Sequence, residues 1–303
     1  MTTIITAHSA TATDLQAYLD AFDAEFALSG FGAFSQGISG DYMGGVSAIT
    51  DVAVEGDQAF AVRGGLEYDM ATHTLGGTAT GVEFGTGGSQ DPDTGALSFA
   101  SLDFSFAFSE EMTDGTEVRA LLVDLMRNSD GVEGPTSTLR GLVEADSIEF
   151  KGAAGDDVFV GGGQADVLVG ARGADMLRGG GGADVLNGNR GADELYGNAK
   201  ADVLNGGGGA DLLVGGRGKD ELTGGKGADT FQFTGKYGRD TVTDFGTGRD
   251  VLAFSSNDVA DFDAVMEVAR QRGDDVVINT DAGLVRLLDT DLDSLGANDF
   301  DFI

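Results

Sequence analysis

Apolar residues in the middle of this chain recur every nine positions: Phe159, Leu168, Leu177, Leu186, Leu195, Leu204, Leu213, Leu222 and Phe231. Two positions before each stands an aspartate: Asp157, Asp166, Asp175, Asp184, Asp193, Asp202, Asp211, Asp220 and Asp229. Glycine fills most of the remainder. The cleanest copies read GGGGADVLN (179–187) and GGGGADLLV (206–214). This period predicts one turn and one short strand per unit, with two units completing a coil of a flattened parallel β-roll. No unit can bury its own apolar side, so the units must stack.

The first 150 residues follow other periods. Thr13-x-x-Gln16 forms a capping box and opens a helix with Leu15, Tyr18, Leu19, Phe22 and Phe26 on one face. A second helix is expected from about Thr116, with Val118, Leu121, Leu122, Leu125 and Met126 at helical spacing, and a third from Thr136 to Glu144. Between them the pattern alternates. Val52 and Val54, then Phe60, Val62, Leu66 and Tyr68, then Leu102, Phe104, Phe106 and Phe108, read as strands. The expected fold is an α+β domain over 1–150, an antiparallel sheet with helices on one face. An all-β parallel roll of the nonapeptide repeats over 151–232 and a C-terminal cap over 233–303 follow it.

The roll carries its own chemistry. An aspartate carboxylate is a hard oxygen donor suited to Ca²⁺. Glycines reach backbone conformations that let carbonyls point at a cation. Aspartates eighteen apart, such as Asp157 with Asp175, are the expected partners across one ion. Gln164 and Lys200 replace the glycine two positions before their aspartates, so those turns are expected to bind weakly. Composition agrees. Fifty-one acidic residues against 18 basic give a formal charge of −33, and there is no cysteine. Such a chain does not bind nucleic acid or an anionic membrane through bulk electrostatics, and its carboxylates repel one another until a counter-ion arrives.

MTTIITAHSATATD has neither the basic start nor the apolar core of a secretory leader, and no stretch is long and apolar enough to span a bilayer. The chain ends Asp299-Phe300-Asp301-Phe302-Ile303, acidic then apolar. Before it come ADTFQF (228–233), DTVTDFGTGRDVLAF (240–254), a helix over DFDAVMEVARQ (261–271) and strands DVVIN (275–279) and LVRLL (284–288). With the repeats, this resembles the RTX proteins exported by type I secretion. The resemblance implies an uncleaved C-terminal signal, the type I machinery as a partner and an extracellular location, where calcium suffices to fold the roll.

Residues from about Leu15 to Leu142 resemble the secreted haem-acquisition proteins, the haemophores of the HasA type. The match is strongest in GDYMGGVSAI (40–49), FAVRGGLEYDMATHTLGGTATGVEFGTG (60–87) and LSFASLDFSF (97–106). In that family a strand-end tyrosine ligates haem iron and a following histidine hydrogen-bonds its phenolate. Tyr68 and His73 match those roles in LEYDMATHTLGG. Tyrosinate oxygen is an established axial ligand of haem iron. A phenol with pKa about 10 becomes a better ligand when a histidine takes its proton. Family members often add a histidine from the loop after the first helix. Here that loop, ALSGFGAFSQGISGDYMGG (27–45), has none, and His8 precedes the helix. The resemblance therefore implies five-coordinate iron, or water, Gln36 or Met43 opposite Tyr68.

The implied function is a secreted, haem-capturing calcium-binding protein whose partners are haem, an outer-membrane haem receptor or haem proteins. The alternative is an extracellular structural or adhesive RTX protein without haem activity. An enzyme is not expected. Two histidines cannot supply a His-Glu-x-x-His zinc site, no Gly-x-Ser-x-Gly elbow is present, and no cysteine can serve as nucleophile.

Overall fold

A computed structural model of the chain describes residues 147–246 and 249–303 in full. Toward the N-terminus it describes the backbone of 2–7, 13–14, 33–34, 39–45, 58–69, 74–77, 79–86, 89–90, 97–98 and 101–112, with the side chains of Ile5 and Thr6. Contacts divide the chain into two units, Met1–Ser9 with Thr13–Glu149, and Ala10–Ala12 with Phe150–Ile303.

In the first unit the strands pair antiparallel in the order Thr2–Ala7, Ser101–Met112, Ala79–Thr86, Gln58–Asp69, Ser39–Gly45 and Ala33–Phe34. The alternating segments around Phe60 and Phe104 lie in these strands. Part of the segment read as a loop over 27–45 is instead the hairpin of Ala33–Phe34 and Ser39–Gly45, which aligns Phe34 with Tyr42. Thr13–Asp14 is a two-residue strand. The rest of the first expected helix, the helices from Thr116 and Thr136, and Val52 and Val54 lie outside the described residues.

The second unit is a parallel β-solenoid with two faces. One sheet stacks Val167–Arg172, Val185–Arg190, Val203–Gly208, Glu221–Lys226, Gly238–Val242 and Gly283–Leu287. The other stacks Asp157–Val160, Met176–Gly180, Glu194–Ala199, Leu212–Arg217, Thr230–Phe233, Val251–Phe254 and Phe300–Phe302. Successive strands of a sheet are eighteen residues apart within the repeats, so the register superposes like on like. Leu168, Leu186, Leu204 and Leu222 form one buried column, and Phe159, Leu177, Leu195, Leu213 and Phe231 the other. Each of the seven strands from Val167–Arg172 to Glu221–Lys226 buries the apolar residue and a glycine two residues later, as at Leu195 and Gly197. The core is therefore a single layer of leucines between two sheets, and removing one opens a cavity in both coils it touches.

The ladder runs on past residue 232. Val242 stacks on Leu222, and Leu252 on Phe231. A cluster of Phe233, Tyr237, Phe254 and Phe300 closes this end, with ring centroids 5.3–6.4 Å apart for the contacting pairs. The helix is Phe262–Val268, capped by Asp261, whose carboxylate accepts the Ala264 N–H at 2.9 Å. It stops short of Gln271 because Ala269–Arg272 turns extended and pairs with Asp275–Asn279. The C-terminal residues Phe300–Phe302 are the last strand of one sheet, aligned with Leu252 and Phe254. Among the described residues no helix is long and apolar enough to cross a membrane.

Candidate metal centre

Every repeat aspartate stands just before or at the start of a strand, at the turn joining the two sheets. The nine therefore form two columns, one along each edge of the roll. Asp157, Asp175, Asp193, Asp211 and Asp229 share one column, and Asp166, Asp184, Asp202 and Asp220 the other. All nine are 0–2% exposed. Within a column, the backbone N–H of each aspartate donates to Oδ1 of the aspartate eighteen residues later at 2.8–3.0 Å, in seven successive pairs. The backbone carbonyl of the same aspartate accepts an N–H from the next coil, as from Val203 to Asp184 at 2.9 Å.

That leaves one oxygen over. Oδ2 of Asp175, Asp184, Asp193, Asp202, Asp211, Asp220 and Asp229 is buried and takes no hydrogen bond. Asp157 and Asp166, at the start of the columns, instead accept the N–H of Ala153 and Gly162 with this oxygen at 2.7 and 2.9 Å. The space in front of each Oδ2 is kept open by the glycine five residues earlier. A Cβ on Gly197 would lie 2.5 Å from Asp202 Oδ2 and 2.7 Å from the carbonyl oxygen of Gly215 in the next coil. A carboxylate oxygen and a carbonyl oxygen thus face one small gap with no donor between them. Among the described residues no three His, Cys, Asp or Glu side chains converge on one point. The donor set is carboxylate plus backbone carbonyl, repeated up each edge, which is the oxygen-only chemistry that Ca²⁺ takes.

The electrostatics say the same. Burial pushes the Asp175 and Asp202 carboxyls up to about 7, and Asp211 and Asp229 up to about 6. Asp184, Asp193 and Asp220 are raised for the same first cause. Repulsion from column neighbours adds to it, as from Asp193 and Asp157 at Asp175. Their ordinary value is 3.8, so without metal the folded columns hold protons that an unfolded chain has released. That contribution is complete below pH 3.8 and disappears as pH rises through about 7. In excess chelator the roll should accordingly keep more of its β-sheet circular dichroism at pH 5 than at pH 8. A stronger β-sheet signal at pH 8 would count against buried, unpaired carboxylates.

The position two residues before each aspartate sets the shape of the turn. Gly173, Gly191 and Gly227 adopt φ of +128°, +140° and +150° there. Lys200 stands at +82°, a conformation that costs a side-chain-bearing residue roughly 1–2 kcal/mol, and its ammonium acts on Asp184. Lys200→Gly is expected to lower the calcium concentration at the folding midpoint roughly three- to ten-fold by removing strain and a competing cation. A calcium titration followed by circular dichroism measures it, and a raised midpoint would contradict this account of the turn.

Two aspartates of the columns escape the nine-residue register. Asp220 N–H donates to Asp240 Oδ1 at 3.1 Å, and Asp229 N–H to Asp250 Oδ1 at 3.2 Å, across twenty and twenty-one residues. The signal was the surviving Asp-x-apolar spacing, Asp240 to Val242 and Asp250 to Leu252. In the first unit, Tyr68 is the penultimate residue of Gln58–Asp69 and aligns with Leu75 of Thr74–Gly77. His73 lies outside the described residues, as do His8 and the side chain of Tyr68.

Residues 150–231 match the model of the RTX calcium-binding nonapeptide repeat. No curated protein matches the chain. Solved structures similar to it include the extracellular lipase LipA from Serratia marcescens, 19% identical, covering 53% of this chain and 40% of the lipase with a TM-score of 0.31. The holo hemophore HasA from Yersinia pestis is 19% identical over 46% of this chain and 87% of its own, with a TM-score of 0.35. The AlgE6R3 subunit of the Azotobacter vinelandii mannuronan C5-epimerase is 23% identical over 49% and 79%, with a TM-score of 0.24. The chain spans less than half the length of the lipase.

Proposed function

We propose that this chain is a secreted haem-binding protein whose second unit is a calcium-folded roll. The observation that carries the calcium part is the pair of aspartate columns with buried, unpartnered carboxylate oxygens facing backbone carbonyls. A divalent cation on each would supply the positive charge that those oxygens lack, and Asp175, Asp184, Asp193, Asp202, Asp211, Asp220 and Asp229 are the residues to hold it, with Asp157 and Asp166 opening the columns. Folding that waits for calcium suits a protein that crosses the envelope unfolded and meets the ion outside. The type I machinery is the exporter this reading requires, with the C-terminal residues 299–303 as its signal.

The haem part rests on the sequence likeness of residues 15–142 to the haemophores. Tyr68 pairs with Leu75 and Asp69 with Thr74, and His73 directly precedes that second strand in the sequence. The first unit is then a binding module and no enzyme, and haem its ligand. Ferric haem titrated into the wild-type chain should give a saturating Soret band near one equivalent, and the Tyr68→Ala chain should not. Equal binding by both would leave the extracellular structural or adhesive reading in its place.

A further inference from the structure

With the columns compensated, the charge left on the outside of the roll is opposite in sign to that of the chain. Residues 152–239 carry nine of the 18 lysines and arginines. The repeat aspartates among them point inward at 0–2% exposure, which leaves Asp156, Glu194 and Glu221 as the outer carboxylates. Five of the nine cations gather along one edge, that of Asp202, Asp220 and Asp240. Lys200, Arg217, Lys219, Lys236 and Arg239 are all exposed there. Among the described residues none of the five reaches a carboxylate at ion-pair distance, a pairing that Arg286 makes with Asp275 in the cap.

Three adjacent turns bring these side chains together. Ala199 aligns with Arg217, and the Lys200 N–H donates to the Arg217 carbonyl at 2.8 Å. Gly218 bridges to Gly238, and the Arg239 N–H donates to the Gly218 carbonyl at 3.0 Å. Lys219 and Arg239 each stand directly before a column aspartate, and Lys236 lies two residues ahead of Gly238. Neighbouring coils lie about 4.8 Å apart, so the cations climb the edge in steps of about that size. Such a step is comparable to the length of one sugar ring. The residues between them are small, as at Ala199, Ala201, Gly216 and Gly218, so nothing bulky keeps a polymer off the edge. Among the described residues no exposed carboxylate stands on these turns, and Asp281, just before the next strand Gly283–Leu287, ends the patch. The edge offers no exposed aromatic ring, Tyr237 being 1% exposed, so it lacks the stacking platform that single-stranded nucleic acid takes. It also lacks the large apolar side chains that seat a protein in a lipid surface. We propose that this edge docks a linear polysaccharide with a carboxylate on each sugar ring, its lysines and arginines meeting successive carboxylates.

This docking rests on the calcium reading of the roll, because uncompensated columns would set a row of negative charge just behind the cations. A thread-like partner touches the edge alone, whereas a broad anionic surface meets the rest of a chain of formal charge −33. The test titrates an oligogalacturonate, too short for calcium to gel, into the full chain in calcium. Binding should weaken as salt rises, and the carboxyl-reduced oligosaccharide should not bind. Arg217→Gln, Lys219→Gln and Arg239→Gln together should weaken binding about ten-fold or more. Arg172→Gln, Arg190→Gln and Lys226→Gln together remove the same charge from the opposite edge and should leave binding nearly unchanged. Equal losses in the two triple variants overturn the proposal. So does the absence of binding by a wild-type chain whose circular dichroism shows the calcium-folded roll, which leaves the calcium reading intact. Tighter binding of single-stranded DNA or of phosphatidylglycerol vesicles than of the oligosaccharide overturns the choice of partner. A chain whose sheet signal and binding both ignore calcium overturns both readings. Should the first triple variant not fold, Lys236→Gln, outside the strands, takes its place with an expected loss of about two-fold, and wild-type affinity there overturns the proposal.

Discussion

Excess chelator is expected to erase most of the β-sheet signal of this protein, and calcium at millimolar concentration to restore it. The magnitude follows from the columns. Seven repeat aspartates, Asp175 to Asp229, bury an Oδ2 with no donor, and desolvating an uncompensated carboxylate costs several kcal/mol. Calcium reverses each of these. An ion at about a hundred times its dissociation constant stabilises the folded state by about 2.7 kcal/mol per site. Several such sites together exceed the roughly 5–15 kcal/mol that holds an ordinary domain. The single layer of leucines between the sheets cannot offset that loss, because no repeat has a core of its own. Far-ultraviolet circular dichroism before and after chelation reads the effect directly. A spectrum that chelator leaves unchanged would show that packing suffices.

The second large effect concerns haem. Tyr68→Phe keeps a ring at the end of the strand Gln58–Asp69 and removes the oxygen, so ferric haem binding should fall to the level of non-specific adsorption. No histidine lies in residues 27–45 to hold the iron from the other side. His73→Ala should cost less. Loss of a hydrogen bond to a ligand typically weakens a metal site about 10–100-fold. It should also steepen the pH dependence, because a phenol with pKa about 10 must then ionise unaided. His8→Ala should change nothing. The ordering Tyr68, then His73, then His8 in Soret titrations is the expectation, and wild-type affinity in Tyr68→Phe would remove haem from the account.

The roll was legible because one residue type at one spacing does one job. The glycine five before each aspartate is required where a Cβ would meet the carboxylate, as at Gly215 and Gly224, where an added Cβ would lie 2.6 Å from Oδ2 of Asp220 and Asp229 respectively. The apolar residue two after the aspartate points inward in every coil. Where insertions break the count the signal fades, although Asp240 and Asp250 still stack. The short C-terminal helix ends three residues before its expected end, because hairpin pairing of Ala269–Arg272 outweighs the helical pattern of 261–271. The terminal Phe300 and Phe302 read as a tail, yet they align with Leu252 and Phe254. Their pairing is parallel and forty-eight residues distant, which no local pattern reveals. In the first unit, alternation around Phe60 and Phe104 placed strands. The roles of Tyr68 and His73 came from likeness to a family, since one tyrosine near one histidine carries little information by itself.

Hydrogen exchange of the full chain, with and without calcium, tests the central claim most directly. The backbone N–H groups of Asp175, Asp184, Asp193, Asp202 and Asp211 each donate to a carboxylate one coil away. With calcium bound, peptides spanning 166–233 should exchange slowly and together, as one cooperative unit. After chelation at pH 8 the same peptides should exchange at the rate of an unfolded chain. Equal protection in both conditions would contradict a roll held together by calcium on its aspartate columns.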